Sequence, residues 1–295
     1  MEGLMSFQAN SVGAVSRKQS SVLMPTFSPN NTSSRVSVQP IGMVRNSKLF
    51  NSFVASVQPL EASAVTPIDN TLPSKEVLDI WQNADAVCFD VDSTVCVDEG
   101  IDEFAEFCGA GKAVAEWTAR AMNGSVPFEE ALAARLSLIN PSLKQLQDFL
   151  KRPPRLSPGI DLLVKKLKDT NKDVYLVSGG FRQMINPVAS ILGIPLENIF
   201  ANQIHFGSNG EYAGFDKNEP TSRKGGKATA VQQLRKAHGY KSLVMIGDGA
   251  TDLEARMPGG ADLFVCYGGV QLREPVAAKA DWLVFNFKDL INSLV

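Results

Sequence analysis

Apolar residues follow two rhythms along this chain. Short unbroken runs at AVCFDV (86–91), VYLVSGG (174–180), LVMIGDG (243–249), ADLFVCYGG (261–269) and WLVFNF (282–287) predict strands buried on both faces. Between them lie stretches with apolar residues at helical spacing. Strands of this kind separated by helices predict a parallel sheet, because each crossover helix covers one sheet face. The expected fold class is therefore α/β, a Rossmann-like doubly wound parallel sheet. Pro73-Ser74-Lys75-Glu76 predicts a helix start, continued by Val77, Ile80 and Trp81.

From 100 to 157 the rhythm changes. Three helical stretches, IDEFAEFCGAGKAVAEWTARAM, PFEEALAARLSLI and SLKQLQDFLKR, run up to a break at Pro153-Pro154 with no strand-like run among them. This predicts a helical cap over 99–154, inserted after the first strand of a core formed by 75–98 and 155–295. Phe104, Phe107, Trp117 and Leu132 are expected in the cap's own core. IHFGSNGEYAGF (204–215) places Asn-Gly between aromatic-alternating runs and predicts a β-hairpin.

Composition changes this picture at the N-terminus. In the first sixty residues Arg17, Lys18, Arg35, Arg45 and Lys48 are the bases and Glu2 is the only acid, amid abundant Ser, Asn and Gln. Residues 1–70 read as an organelle transit peptide, cleaved between about residue 50 and about residue 75. The serine content favours a plastid, with a mitochondrion as the alternative. A merely disordered tail is the other reading. Over all 295 residues the chain is 44% apolar and 20% charged with a net charge of −2, which suits a globular protein and offers no field to recruit nucleic acid. No apolar run reaches eighteen residues, so no membrane-spanning helix is expected. Cys88, Cys96, Cys108 and Cys266 lie too far apart for a zinc motif and read as reduced core thiols. A redox role for Cys88 or Cys96, which flank the acidic motif, is the less favoured alternative. His205 and His238 fall outside every motif.

Three apolar runs finish in reactive groups: Asp90 and Asp92 after the first, Ser178-Gly179-Gly180 after the second, and Gly247-Asp248-Gly249-Ala250-Thr251-Asp252 after the third. In open α/β sheets ligands bind outside the strand carboxyl ends, so all three endings point to one pocket. Asp90, Asp92, Asp248 and Asp252 together demand a cation, and an all-oxygen donor set selects a hard ion such as Mg2+.

The order D-x-D-x-T-V (90–95), Ser-Gly-Gly, GGKATA (225–230) and G-D-G-A-T-D resembles the haloacid dehalogenase superfamily of phosphatases across roughly residues 85 to 290. That resemblance makes Asp90 the nucleophile, forming an aspartyl-phosphate, and Asp92 the acid and then the base. It gives Lys227 the role of offsetting charge, and Ser178, Gly179, Gly180 and Thr251 that of holding phosphoryl oxygens. Mg2+ is expected on Asp90, Asp248 and the Asp92 carbonyl, with Thr94 and Asp252, together with Thr251, in support.

The stretches EGIDEFA, AMNGSVPFEEALAARL, VSGGF, FANQI and NGEYAGF resemble the phosphoserine phosphatase family within that superfamily. On this likeness Glu99 meets a substrate ammonium, Arg135 a carboxylate, and the segment with Met122 and Asn123 closes on the substrate. Asn123 stands where relatives often carry glycine. The implied reaction is hydrolysis of O-phospho-L-serine, the closing step of phosphorylated serine synthesis, by a plastid enzyme for which a homodimer is allowed. A phosphatase or phosphotransferase acting on another small phosphomonoester, and a non-catalytic phosphorylatable regulator, stand as the alternatives.

Overall fold

The computed structural model describes residues 69–122 and 125–294, so residues 1–68 and Asn123 lie outside the described residues. Ser74 caps the first helix α1 (Lys75–Gln82) by accepting the Val77 amide, as its position before Lys75-Glu76 predicts. Strand β1 (Ala86–Phe89) is buried throughout and leads into an irregular turn over Val91–Val95, in which Asp92 and Ser93 depart from helical backbone angles. Helices α2 (Gly100–Phe107), α3 (Gly111–Met122), α4 (Phe128–Ile139) and α5 (Leu143–Phe149) follow. The first predicted helical stretch is two helices, because Gly109 takes a φ of 79° that breaks the run.

The chain then returns through α6 (Ile160–Asp169), β2 (Asp173–Phe181), α7 (Arg182–Leu192), β3 (Ile199–Asn202) and the hairpin β4 (Ile204–Phe206) and β5 (Tyr212–Phe215). It closes with α8 (Gly226–His238), β6 (Leu243–Gly247), α9 (Ala250–Leu253), β7 (Leu263–Tyr267), α10 (Glu274–Ala277), β8 (Trp282–Val284) and α11 (Phe287–Asn292). The strand order is β3-β2-β1-β6-β7-β8, and every pairing is parallel. The order reverses between β1 and β6, which creates the crevice where open α/β sheets bind ligands.

Two apolar clusters cover the two sheet faces. One gathers Val87, Phe89, Leu176 and Ile246 with α1, α6, α7 and α11; the other gathers Cys88, Val177 and Met245 with α8 and residues of α10. A third cluster, built on Phe104, Leu132, Leu136 and Leu146, joins α2, α4 and α5 to Phe181 and the hairpin residues Ile204 and Phe206. Phe107 packs against this cluster as expected. Trp117 does not. It lies half-buried beneath Arg120, whose guanidinium carbon is 4.3 Å from the ring centre, because its face of α3 meets solvent rather than α4.

Two chain segments join the helical region to the sheet, and backbone bonds pin them side by side. The Val97 amide donates to the Arg155 carbonyl at 3.0 Å, and the Ser157 amide to the Val95 carbonyl at 2.9 Å. The helical region thus springs from the end of β1, directly beside the crevice. No helix among the described residues is long and apolar enough to cross a membrane.

Candidate active site

Asp90 follows β1 immediately and is only 6% exposed. One of its oxygens, Oδ1, accepts the Val91 amide at 2.7 Å and pairs with Lys227 Nζ at 2.7 Å. Both contacts fall on the same oxygen, which leaves Oδ2 without a donor among the described residues. Lys227 enters from the first turn of α8 and also reaches Asp252 Oδ1 at 2.7 Å. Burial works against the lysine's charge, but Asp252 and Asp90 outweigh it and hold the ammonium protonated. The placement needs Gly226: a Cβ there sits 2.2 Å from the Pro220 carbonyl oxygen, so only glycine lets the helix start this close.

Asp248 follows β6 on the other side of the crevice. Its Oδ1 accepts from Thr94 Oγ1 at 3.4 Å and its Oδ2 from Arg273 Nε at 2.9 Å. Asp252 is fully buried and accepts the Gly249 amide at 3.0 Å. Carboxylate oxygens of Asp90, Asp248 and Asp252 lie within 4.8 Å of one another. Burial, and then the charge of Asp90, push the Asp248 carboxyl up despite Arg273. Two cations therefore fall short of neutralising this cluster, and an all-oxygen set of this kind fits a hard divalent ion.

The Asp92 carboxyl turns from that cluster toward the start of α2, where its Oδ1 accepts the Gly100 amide at 2.7 Å. Desolvation, followed by the charges of Glu99 and Asp90, pushes it up to about 7. An acid poised near neutrality can both give and take a proton. Glu99 is raised by desolvation and accepts Ser93 Oγ at 2.8 Å. Ser93 holds a φ of 54°, an uncommon conformation for a residue with a Cβ, and that turn aims its hydroxyl at Glu99.

Ser178, Gly179 and Gly180 close β2. The Gly180 amide donates to Ser178 Oγ at 2.9 Å, and buried Asn202 donates to the Gly179 carbonyl at 2.8 Å while accepting Thr221 Oγ1 at 3.1 Å. Arg135 on α4 is 8% exposed, and its Nε has no partner. Desolvation lowers its affinity for the proton, while the charges of Asp102, Glu99 and Asp92 raise it. Thr251 opens α9 beside Asp252, exposed to solvent. Met122 ends α3, and Asn123 lies outside the described residues.

Residues 84–256 match the haloacid dehalogenase-like hydrolase family. The chain is 71% identical over 255 residues to the chloroplastic phosphoserine phosphatase of Arabidopsis thaliana, covering 86% of each chain. It is 50% identical over 220 residues to phosphoserine phosphatase of Bos taurus, covering 74% of this chain and 97% of that one. This chain belongs to the phosphoserine phosphatase family. A solved phospho-aspartyl intermediate analogue of phosphoserine phosphatase superposes with a TM-score of 0.62 at 26% identity, covering 72% of this chain and 99% of that one.

Within this phosphoserine phosphatase fold, sequence reasoning missed Arg273 and Asn202. Arg273 caps the start of α10 in the loop after β7, a fourth strand end at the same sheet edge, and that position was its available signal. Asn202 ends β3, whose short run IFAN merges in sequence with the hairpin that follows it.

Proposed function

We propose that this chain hydrolyses O-phospho-L-serine to L-serine and phosphate in the plastid stroma, using Asp90 as nucleophile. Asp90 Oδ2 attacks phosphorus while the bond to the serine oxygen breaks, giving an aspartyl-phosphate. Asp92 donates its proton to the leaving alkoxide, then takes one from the water that cleaves the acyl phosphate. Lys227 offsets charge between Asp90 and the phosphoryl oxygens. Ser178 and the Gly179 amide hold those oxygens, Gly180, whose amide donates to Ser178 Oγ, lets the backbone approach closely, and Thr251 stands at the rim.

Asp90, Asp248 and the Asp92 carbonyl would hold Mg2+, which when bound supplies positive charge opposite the phosphoryl oxygens. Asp252 is committed to Lys227 and the Gly249 amide, and Thr94 supports Asp248. Glu99 takes the substrate ammonium and Arg135 its carboxylate, from a helical cap spanning 99–154 in which Met122 and Asn123 belong to the closing segment. The observation that carries the reading is a lysine-clamped, buried Asp90 two residues before Asp92, whose charge, with those of Asp102 and Glu99, acts on a buried arginine with an unpartnered Nε. A buried, unsatisfied guanidinium donor calls for an anionic ligand group, and phosphoserine brings a carboxylate to it.

The test is a panel of phosphomonoesters assayed with and without Mg2+. O-phospho-L-serine is expected to lead phosphoethanolamine and p-nitrophenyl phosphate in kcat/KM, and chelation to abolish turnover. Equal rates across the panel would overturn the substrate assignment, and transfer to added alcohols in place of water would convert the reading to a phosphotransferase.

A further inference from the structure

We propose that Thr118 is a positioning residue that aims Arg135 at the substrate carboxylate without neutralising it, with Asp102 anchoring Thr118 from behind. The inference rests on the reading of Arg135 given above. It starts from a chain of contacts across three helices. Arg135 on α4 places Nη1 3.4 Å from Thr118 Oγ1 on α3, and that hydroxyl donates to Asp102 Oδ1 on α2 at 3.2 Å.

Arg135 makes no ion pair with a carboxylate among the described residues, although Asp102 acts on it electrostatically. A carboxylate bonded directly to the guanidinium would compete with the substrate for the same planar fork. The hydroxyl between them is uncharged. It accepts one guanidinium N–H, donates its own proton to Asp102, and leaves the buried Nε without a partner. Threonine suits this task because its β-branch restricts χ1 and so fixes where the hydroxyl points. Thr118 also lies one turn before Met122, so the same side chain ties the last turn of α3 to the recognition arginine.

The experiment compares full-length wild type, Thr118→Val, Thr118→Ser, Asp102→Asn and Arg135→Ala on O-phospho-L-serine and on phosphoethanolamine, which lacks the carboxylate. Thr118→Val is expected to lower kcat/KM for phosphoserine about tenfold, the size of one lost hydrogen bond to a charged group, with KM carrying most of the change. The phosphoethanolamine rates of this variant stay within about twofold of wild type, and Thr118→Ser restores most of the loss. Equal losses on both substrates, a loss confined to kcat, or no rescue by serine would overturn the proposal. If Thr118→Val fails to fold, Asp102→Asn decides by the same substrate comparison, failing the proposal if it leaves both substrates unchanged. If Arg135→Ala itself hurts both substrates equally, the carboxylate-binding reading of Arg135 falls. If Arg135→Ala discriminates and Thr118→Val does not, only the positioning role falls.

Discussion

Arg273 Nε donates to Asp248 Oδ2 at 2.9 Å, and the same guanidinium sits 3.8 Å from Glu99. One arginine therefore touches both the acidic cluster expected to hold a metal ion and the carboxylate expected to meet the substrate amine. In the metal-free protein it is the main counter-charge of Asp248, so its removal raises the energy of that state more than that of the Mg2+-loaded state. Arg273→Met is expected to widen the gap in melting temperature between chelated and Mg2+-saturated protein, and to tighten Mg2+ binding severalfold by calorimetry. An unchanged gap would show that Asp248 does not depend on Arg273.

Lys227 is the buried counter-charge of both Asp90 and Asp252, so losing Asp90 leaves the lysine paired, whereas losing Lys227 leaves two carboxylates uncompensated. Asp90→Asn keeps the shape but removes the nucleophile, so turnover is expected to drop by at least about a thousandfold with the circular dichroism spectrum intact. Lys227→Met leaves Asp90 and Asp252 facing one another without a cation. It is expected to destabilise the fold by about 3–5 kcal/mol in urea denaturation, as well as abolish activity.

The contrast between these residues and others explains what could be read from the chain alone. Asp90, Ser178 and Asp248 were legible because each follows an unbroken apolar run, and a parallel sheet brings such ends to one edge. β3 was not legible, since IFAN runs directly into the hairpin stretch and closes on a polar side chain, Asn202, whose partners Gly179 and Thr221 are set by tertiary packing. Trp117 was misplaced because helical spacing does not say which flank of a helix meets a neighbour. The Asp102–Thr118–Arg135 chain left no trace in spacing at all, as it exists only where three helices cross.

Asp92 links activity to pH. A carboxyl pushed up to about 7 in the folded state binds its proton more tightly folded than unfolded. Stability in the metal-free protein is therefore greatest at low pH with respect to this group. It falls as pH rises from about 4, the ordinary carboxylate value, to about 7, by no more than about 1.4 kcal/mol per unit. Asp92→Asn is expected to flatten that slope in denaturation at pH 5 and pH 8 with chelator present. The same substitution removes the acid for the alkoxide, so losses should be far larger for phosphoserine than for p-nitrophenyl phosphate, whose leaving group needs no proton.

Asn70 ties the start of the described chain to the far edge of the sheet. Its side-chain amide donates to the Ala277 and Ala280 carbonyls at 2.7 and 3.0 Å, and its own carbonyl accepts the Leu283 amide of β8 at 2.8 Å. These bonds cover carbonyls at the end of α10 and one amide of an edge strand, groups that otherwise need water or another partner. Asn70→Ala is expected to cost about 1–2 kcal/mol in urea denaturation, and a chain beginning at Pro73 more, because it also loses the bond to Leu283. Chains beginning at Asp69 and at Pro73 should therefore differ in melting temperature while sharing the same kcat, since the edge at β8 is remote in sheet order from β1. Equal melting temperatures would mean that residues 69–72 contribute nothing to the fold, and that removal of the N-terminal segment could end on either side of Asn70.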